Sequence, residues 1–305
     1  MLISSHAIHA TLEAEFIAAG WQLASSPFGT TNVNALASNE LGQFVAVGSS
    51  GKIGVSVDVG SSWSLQTSPF AESNIYAVGY GDGIYVAGGS SGKLATSTDG
   101  INWTLRTSSF GASAILSVTW SPLADQWVAV GASGKLATSI DGIEWTQRTS
   151  SFGVTFINTV YSSPNLLVAA GYDGKLATST NGVNWTQRSS SFVSSIIYDV
   201  VSDYTGSTYL AVGDSGKIAI SYDGISWSQT FPTSTFGSST VKAVDFNGGG
   251  YLAGGSAGKL ATSNIDGLTW TQRSSGLGLT NINDIYYSET VGIAVADSGK
   301  IIYSV

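Results

Sequence analysis

The sequence predicts an all-β fold: a seven-bladed β-propeller with four-stranded blades, closed by pairing its N- and C-terminal strands in one blade. Three observations carry this. Gly-Lys recurs seven times, at Lys52, Lys93, Lys135, Lys175, Lys217, Lys259 and Lys300, 40 to 42 residues apart. A tryptophan recurs with it, at Trp21, Trp63, Trp103, Trp145, Trp185, Trp227 and Trp270. Each end of the chain also holds part of a unit that the other end completes. A period near 40 residues, with four short strands per unit, is propeller spacing.

One unit shows the elements in order. Ile115 to Trp120 is an apolar run suited to an inner strand, and Ser121-Pro122 starts a turn. Gln126 to Val130 follows as a second strand, stopped by Gly131. After a Ser-Gly turn, Lys135 to Ser139 reads as the third strand. Asp141-Gly142 turns the chain into a fourth, Trp145 to Thr149. Each strand is bounded by Gly, Pro, Asp or Ser, and no unit holds a helical apolar period. After Lys300 the chain supplies only a third strand, whereas Gly20 to Ser25 is a fourth strand with no partners before it. Joining them completes blade seven and removes the edges an open array would expose. The domain reading is an N-terminal segment, 1–20, and a propeller, 21–305.

Composition narrows function. Charged residues make up 10% of the chain, far below the roughly 25% of an average soluble protein. The net charge is −8, which argues against a nucleic-acid backbone binder. No polybasic run suggests an anionic membrane surface, and no apolar run is long enough to span one. Cysteine is absent, so neither disulfides nor thiolate metal sites form. Met1 to Gly20 contains no Lys or Arg, unlike a secretory signal. The expectation is synthesis in the cytoplasm, with a virion as one destination.

Between the third and fourth strands sits Ser-x-Asp-Gly-x-x-Trp. It runs through Ser97, Asp99, Gly100 and Trp103; Ser139, Asp141, Gly142 and Trp145; and Ser221, Asp223, Gly224 and Trp227. Asn181 replaces the acid in one copy, Asp266 follows an extra residue in another, and Ser56 to Trp63 has a longer form. The carboxylate or amide can accept turn N–H groups, and Gly takes φ > 0 at little cost. This motif resembles the Asp-box, or bacterial neuraminidase repeat, of a propeller family. That family includes sialidases, β-glucan hydrolases, photosystem II assembly factors and phage tail or virion proteins. The resemblance covers about residues 21–305 and implies a structural turn.

A sialidase would need three converging arginines. Here Arg106, Arg148, Arg188 and Arg273 all follow Trp-Thr-x at equivalent outer-strand positions, so a sialidase triad is excluded. A glycosidase needs two carboxylates roughly 5–10 Å apart. Asp199 and Asp284 break the repeat at one inner-strand position, where other blades carry Ala, Ser or Thr. Lys242, the one Lys outside Gly-Lys, breaks it nearby. The three form either a ligand site or a buried ion-paired trio lining the channel. His6 and His9 are the only histidines and suggest no metal site. Gly-Ser-Ser-Gly-Lys lacks Walker spacing.

The seven Gly-Lys turns should share a face with the linker residues Phe28, Phe70, Phe110, Phe152, Phe192, Phe236 and Leu277. That repeated face is either structural packing or a ring of ligand pockets, as in propeller lectins. Ile8, Leu12 and Phe16 fall on one helical face. This segment is a candidate for docking a partner, or for capping its own propeller. The functional expectation is a non-catalytic interaction module without cofactor, a virion- or tail-associated structural or receptor-binding propeller. Its expected partners are other structural proteins of an assembly, or a surface glycan. The alternative is a carbohydrate-active enzyme or lectin.

Overall fold

The computed structural model describes residues 20–230 and 235–304. They form seven four-stranded antiparallel sheets. The inner strands, blade 1 to blade 7, are Val33–Ser38, Ile75–Gly81, Ile115–Ser121, Ile157–Ser162, Ile197–Ser202, Val241–Phe246 and Ile282–Tyr287. Blade 3 continues through Gln126–Gly131, Leu136–Ser139 and Thr146–Arg148. Lys135 and Trp145 therefore stand in turns, just before the strands they were expected to begin. The proposed docking residues Ile8, Leu12 and Phe16 lie outside the described residues.

Closure is as the chain ends predict. Gln22–Leu23 pairs with Ile301–Ser304 and supplies the outer strand of blade 7. The tie reaches further. Ser25 N–H donates to Ser61 O, and Trp63 N–H donates to Ser25 O, joining blade 7 to blade 1.

The Gly-Lys repeat binds blades to their linkers. Seven times, a left-handed residue such as Ser50 (φ 56°) precedes a left-handed Gly in a two-residue turn. Two successive positive φ values give the hairpin twist that favours Gly at the second site. A Cβ on Gly51 would lie 1.8 Å from Ala71 O, in the linker to the next blade, and one on Gly174 would lie 2.4 Å from Val193 O. The following lysine turns the other way. Lys52 Nζ donates to Phe28 O, in the linker entering its own blade, at 2.6 Å. Lys93, Lys135, Lys175, Lys217 and Lys259 repeat that bond with Phe70, Phe110, Phe152, Phe192 and Phe236. Lys300 donates to Thr280 Oγ1 instead. The six linker phenylalanines and Leu277 are buried between blades.

On the opposite face, the Ser-x-Asp turns act as wedges. Asp99 Oδ1 accepts N–H groups of Ile101 and Asn102, and Trp103 Nε1 donates to Gly100 O. Gly60 leans on Ile293 of blade 7, Gly142 on Ile84 of blade 2, and Gly267 on Leu210 of blade 5. The seventh such slot, against Leu252 of blade 6, has no turn among the described residues. A cavity of about 150 Å³ lies there, bounded by Gly20, Trp21, Leu252, Thr262 and Ser304.

Candidate functional site

The inner strand of every blade carries a register shift one residue after its start. A bulge re-aims the side chain it holds. The seven bulged residues are Asn34, Tyr76, Leu116, Asn158, Tyr198, Lys242 and Asn283, and all line one central cavity of about 400 Å³. They form its mouth on the face of the Gly-Lys turns, called the top face below. Asn34 Nδ2 donates to Ile75 O, Asn158 Nδ2 to Ile197 O and Asn283 Nδ2 to Val33 O, each on the next blade. Lys242 Nζ donates to Asn283 Oδ1 at 2.9 Å.

One residue deeper lie Asp199 and Asp284. Inner strands of a propeller present unpaired N–H groups to the channel, which need acceptors. Asp199 Oδ2 accepts Val244 N–H of blade 6 at 3.0 Å, and its Oδ1 accepts Val200 N–H and the Thr159 hydroxyl. Asp284 Oδ2 accepts Leu36 N–H of blade 1 at 2.9 Å, and its Oδ1 accepts Ile285 N–H. Ser117 Oγ accepts Val160 N–H in the same way. Blade 6 has Ala243 at this level and uses Asp245, two residues on, whose Oδ2 accepts Tyr287 N–H at 2.7 Å. The carboxylates thus staple inner strand to inner strand. The ion-paired trio is not formed: Lys242 reaches Asn283 rather than either acid. Asp245 was missed because it occupies the position of Tyr161, Val201 and Tyr286. Comparing the inner strands there would have found it as the one carboxylate.

The four arginines stay on their own blades. Each Nε donates to a third-strand threonine, as Arg106 does to Thr96 Oγ1 at 2.8 Å. They do not converge.

No family model and no curated protein matches the chain. In fold, the chain is similar to YCF48. A solved structure described as YCF48 bound to D1 peptide is 16% identical, covers 93% of this chain and 94% of its own, and has a TM-score of 0.76. YCF48 from Cyanidioschyzon merolae is 18% identical over 94% of this chain and 98% of its own, at a TM-score of 0.74. At these identities the likeness is one of architecture: a closed seven-bladed ring.

On the top face, the linkers and turn of blades 4 and 5 expose apolar side chains. Val154 is 84% exposed, Val193 81%, Phe156 42% and Tyr172 40%. The Phe156 and Tyr172 ring centroids lie 5.4 Å apart, with planes tilted by 60°. Tyr172 neighbours Tyr198 of the mouth, whose hydroxyl is pushed up to about 12 by burial and then by Asp214.

Burial pushes Asp199 up to about 6, Asp245 to about 7 and Asp284 to about 8; for Asp284 the Asp199 charge adds to burial. Each is enclosed by the wall but keeps some surface on the lumen, where water moderates the push. The turn acids go the other way: backbone N–H groups hold Asp99, Asp141 and Asp223 below the usual carboxylate range. The signs separate by pH. A raised carboxyl stabilises the fold below its unfolded value, and that contribution is lost as pH rises through the folded value. A lowered one stabilises above the unfolded value and fails in acid. Unfolding temperature should therefore peak between about pH 4 and 5, near the unfolded carboxyl value, and fall towards pH 8. Asp284→Asn should lower stability at pH 5, because one amide oxygen cannot replace two acceptors, yet flatten the decline above pH 6. An unchanged slope in a thermal melt series would contradict the assignment.

Proposed function

We propose that the chain is a non-catalytic protein-binding module that docks a partner on its top face. The observation that carries this is the exposure of Val154, Phe156, Tyr172 and Val193 on the face where the channel opens, with Tyr172 next to Tyr198 of its mouth. Exposed apolar side chains gathered in one place mark interaction sites. Two features support the non-catalytic part. The channel carboxylates, which had the best claim to a glycosidase pair, are each committed to main-chain N–H groups of their own and the next blade. The arginines are committed to threonines. A propeller of similar fold, YCF48, has been solved with a peptide bound. The setting within a phage tail or virion is a proposal resting on the resemblance of the Ser-x-Asp turn alone, and no observation favours a glycan ligand.

Random heptapeptides displayed on phage and panned on the full chain should enrich. The enriched peptides should bind a Val154→Ser, Val193→Ser double variant at least about tenfold more weakly. Both side chains are exposed, so the variant should melt with the parent. Binding untouched by the double variant would remove the top face from the reading. Turnover of a glycoside that is lost in Asp199→Asn would overturn the non-catalytic assignment.

A further inference from the structure

The mouth offers a ligand acceptors far more than donors. Asn34 and Asn158 each spend one of two amide N–H groups on a main-chain carbonyl and leave the amide oxygen for a ligand. Below them, Asp199 and Asp284 use only part of their acceptor capacity, and a cation entering between them favours the ionised carboxylate with its roughly four lone-pair sites. The rim adds Asp214 and Asp297, held by Thr240 and by Asn281 and Asn283. Among the described residues, the one cation lining the channel is Lys242, and it is held on Asn283. No ion pair neutralises the channel acids among the described residues. The lumen, at about 400 Å³, is within the range of sites that enclose a ligand group. The apolar patch adjoins this acceptor-rich opening through Tyr172 and Tyr198.

Resting on the protein-binding reading above, we propose that the partner presents a peptide segment with two features. An apolar side chain covers Val154, Phe156, Tyr172 and Val193, and a lysine or arginine side chain enters the channel towards Asp199 and Asp284. The cavity argues for insertion rather than surface contact. Charge complementarity selects the inserted group: a cation stabilises the ionised form of the buried acids, an acidic side chain would add a like charge to them, and an apolar one would strip water from acceptors without replacing their bonds. A guanidinium or ammonium supplies donors in a site where charge-assisted hydrogen bonds are strong. The patch supplies area that is insensitive to charge.

The peptide selection tests this separately from the parent reading. Enriched peptides should carry Lys or Arg within a few residues of an apolar side chain. In synthetic copies, norleucine for lysine or citrulline for arginine should weaken binding by at least about tenfold. Affinity should fall as salt rises from 50 to about 500 mM, where screening is strong. Asp284→Asn should bind the charged and uncharged peptides more nearly alike. Should that variant fail to fold, the peptide-side substitutions still decide. Equal binding of norleucine or citrulline peptides, or enrichment of Asp and Glu, would overturn the inference. If those peptides still lose affinity to the Val154→Ser, Val193→Ser variant, the protein-binding reading survives without it. No enrichment at all would overturn both.

Discussion

Deleting residues 21–26 should lower the unfolding temperature by on the order of 10 °C, because it removes the outer strand of blade 7 and the tie to blade 1. The lost contacts are identifiable. Gln22 and Leu23 pair with Tyr303 and Ile302, and Ala24 N–H donates to Ile301 O. Ser25 exchanges two hydrogen bonds with the Ser61 and Trp63 backbone. Trp21 packs against a cluster that includes Leu252, Leu260 and Ile302. At about 1 kcal/mol net per hydrogen bond and roughly 1.5–3 for a covered large side chain, the loss is about 4–6 kcal/mol. That is comparable to the whole stability of a marginal domain. A thermal or urea melt reads it directly. An unchanged midpoint would mean that the ring does not depend on this strand.

Gly51→Ala should be nearly as damaging, at about 3–5 kcal/mol, although it adds one methyl group at a surface turn. The residue sits at φ 65°, and its new Cβ would fall 1.8 Å from the Ala71 carbonyl oxygen. That oxygen belongs to a linker pinned by Phe70, which is fully buried. The linker cannot retreat without opening the joint between blades 1 and 2. The adjacent Lys52→Met should cost only about 1 kcal/mol, the worth of one half-exposed hydrogen bond to Phe28 O. The contrast, read by urea unfolding of the two variants, separates the roles of the two residues. Equal costs would mean that the lysine bond at the linker entering blade 1 matters as much as the glycine contact at the joint between blades 1 and 2.

The blade count and the closing blade were legible because they depend on spacing. Seven evenly placed Gly-Lys pairs and two partial units leave little choice of architecture. Asp199, Asp284 and Lys242 stood out as breaks in that spacing, and the structure does bring them to one channel. What they do there was not legible. The staple from Asp199 to Val244 N–H joins residues 45 apart and depends on the bulge that sets the register. Asp245 serves the same purpose from a different level, so position alone hid it. The apolar patch was invisible for another reason: Phe156 and Tyr172 meet only through the turn that folds the second strand back over the first.

The commitment of the basic residues has a consequence for how partners arrive. The chain has 12 lysines and arginines against 20 aspartates and glutamates. Seven lysines are anchored at linkers and four arginines on threonines, so nearly every cation is held close to its own blade. These bonds go to neutral carbonyls and hydroxyls and leave the charges in place, so the long-range field follows the net charge of −8. It accelerates the diffusional encounter of basic partners and slows that of acidic ones, by factors of roughly 10 to 1,000 at low ionic strength. At physiological salt the field reaches only about 8 Å, so this discrimination acts in the last steps of approach. The lysines that make the repeat conspicuous in the sequence are therefore poor guides to what the surface attracts.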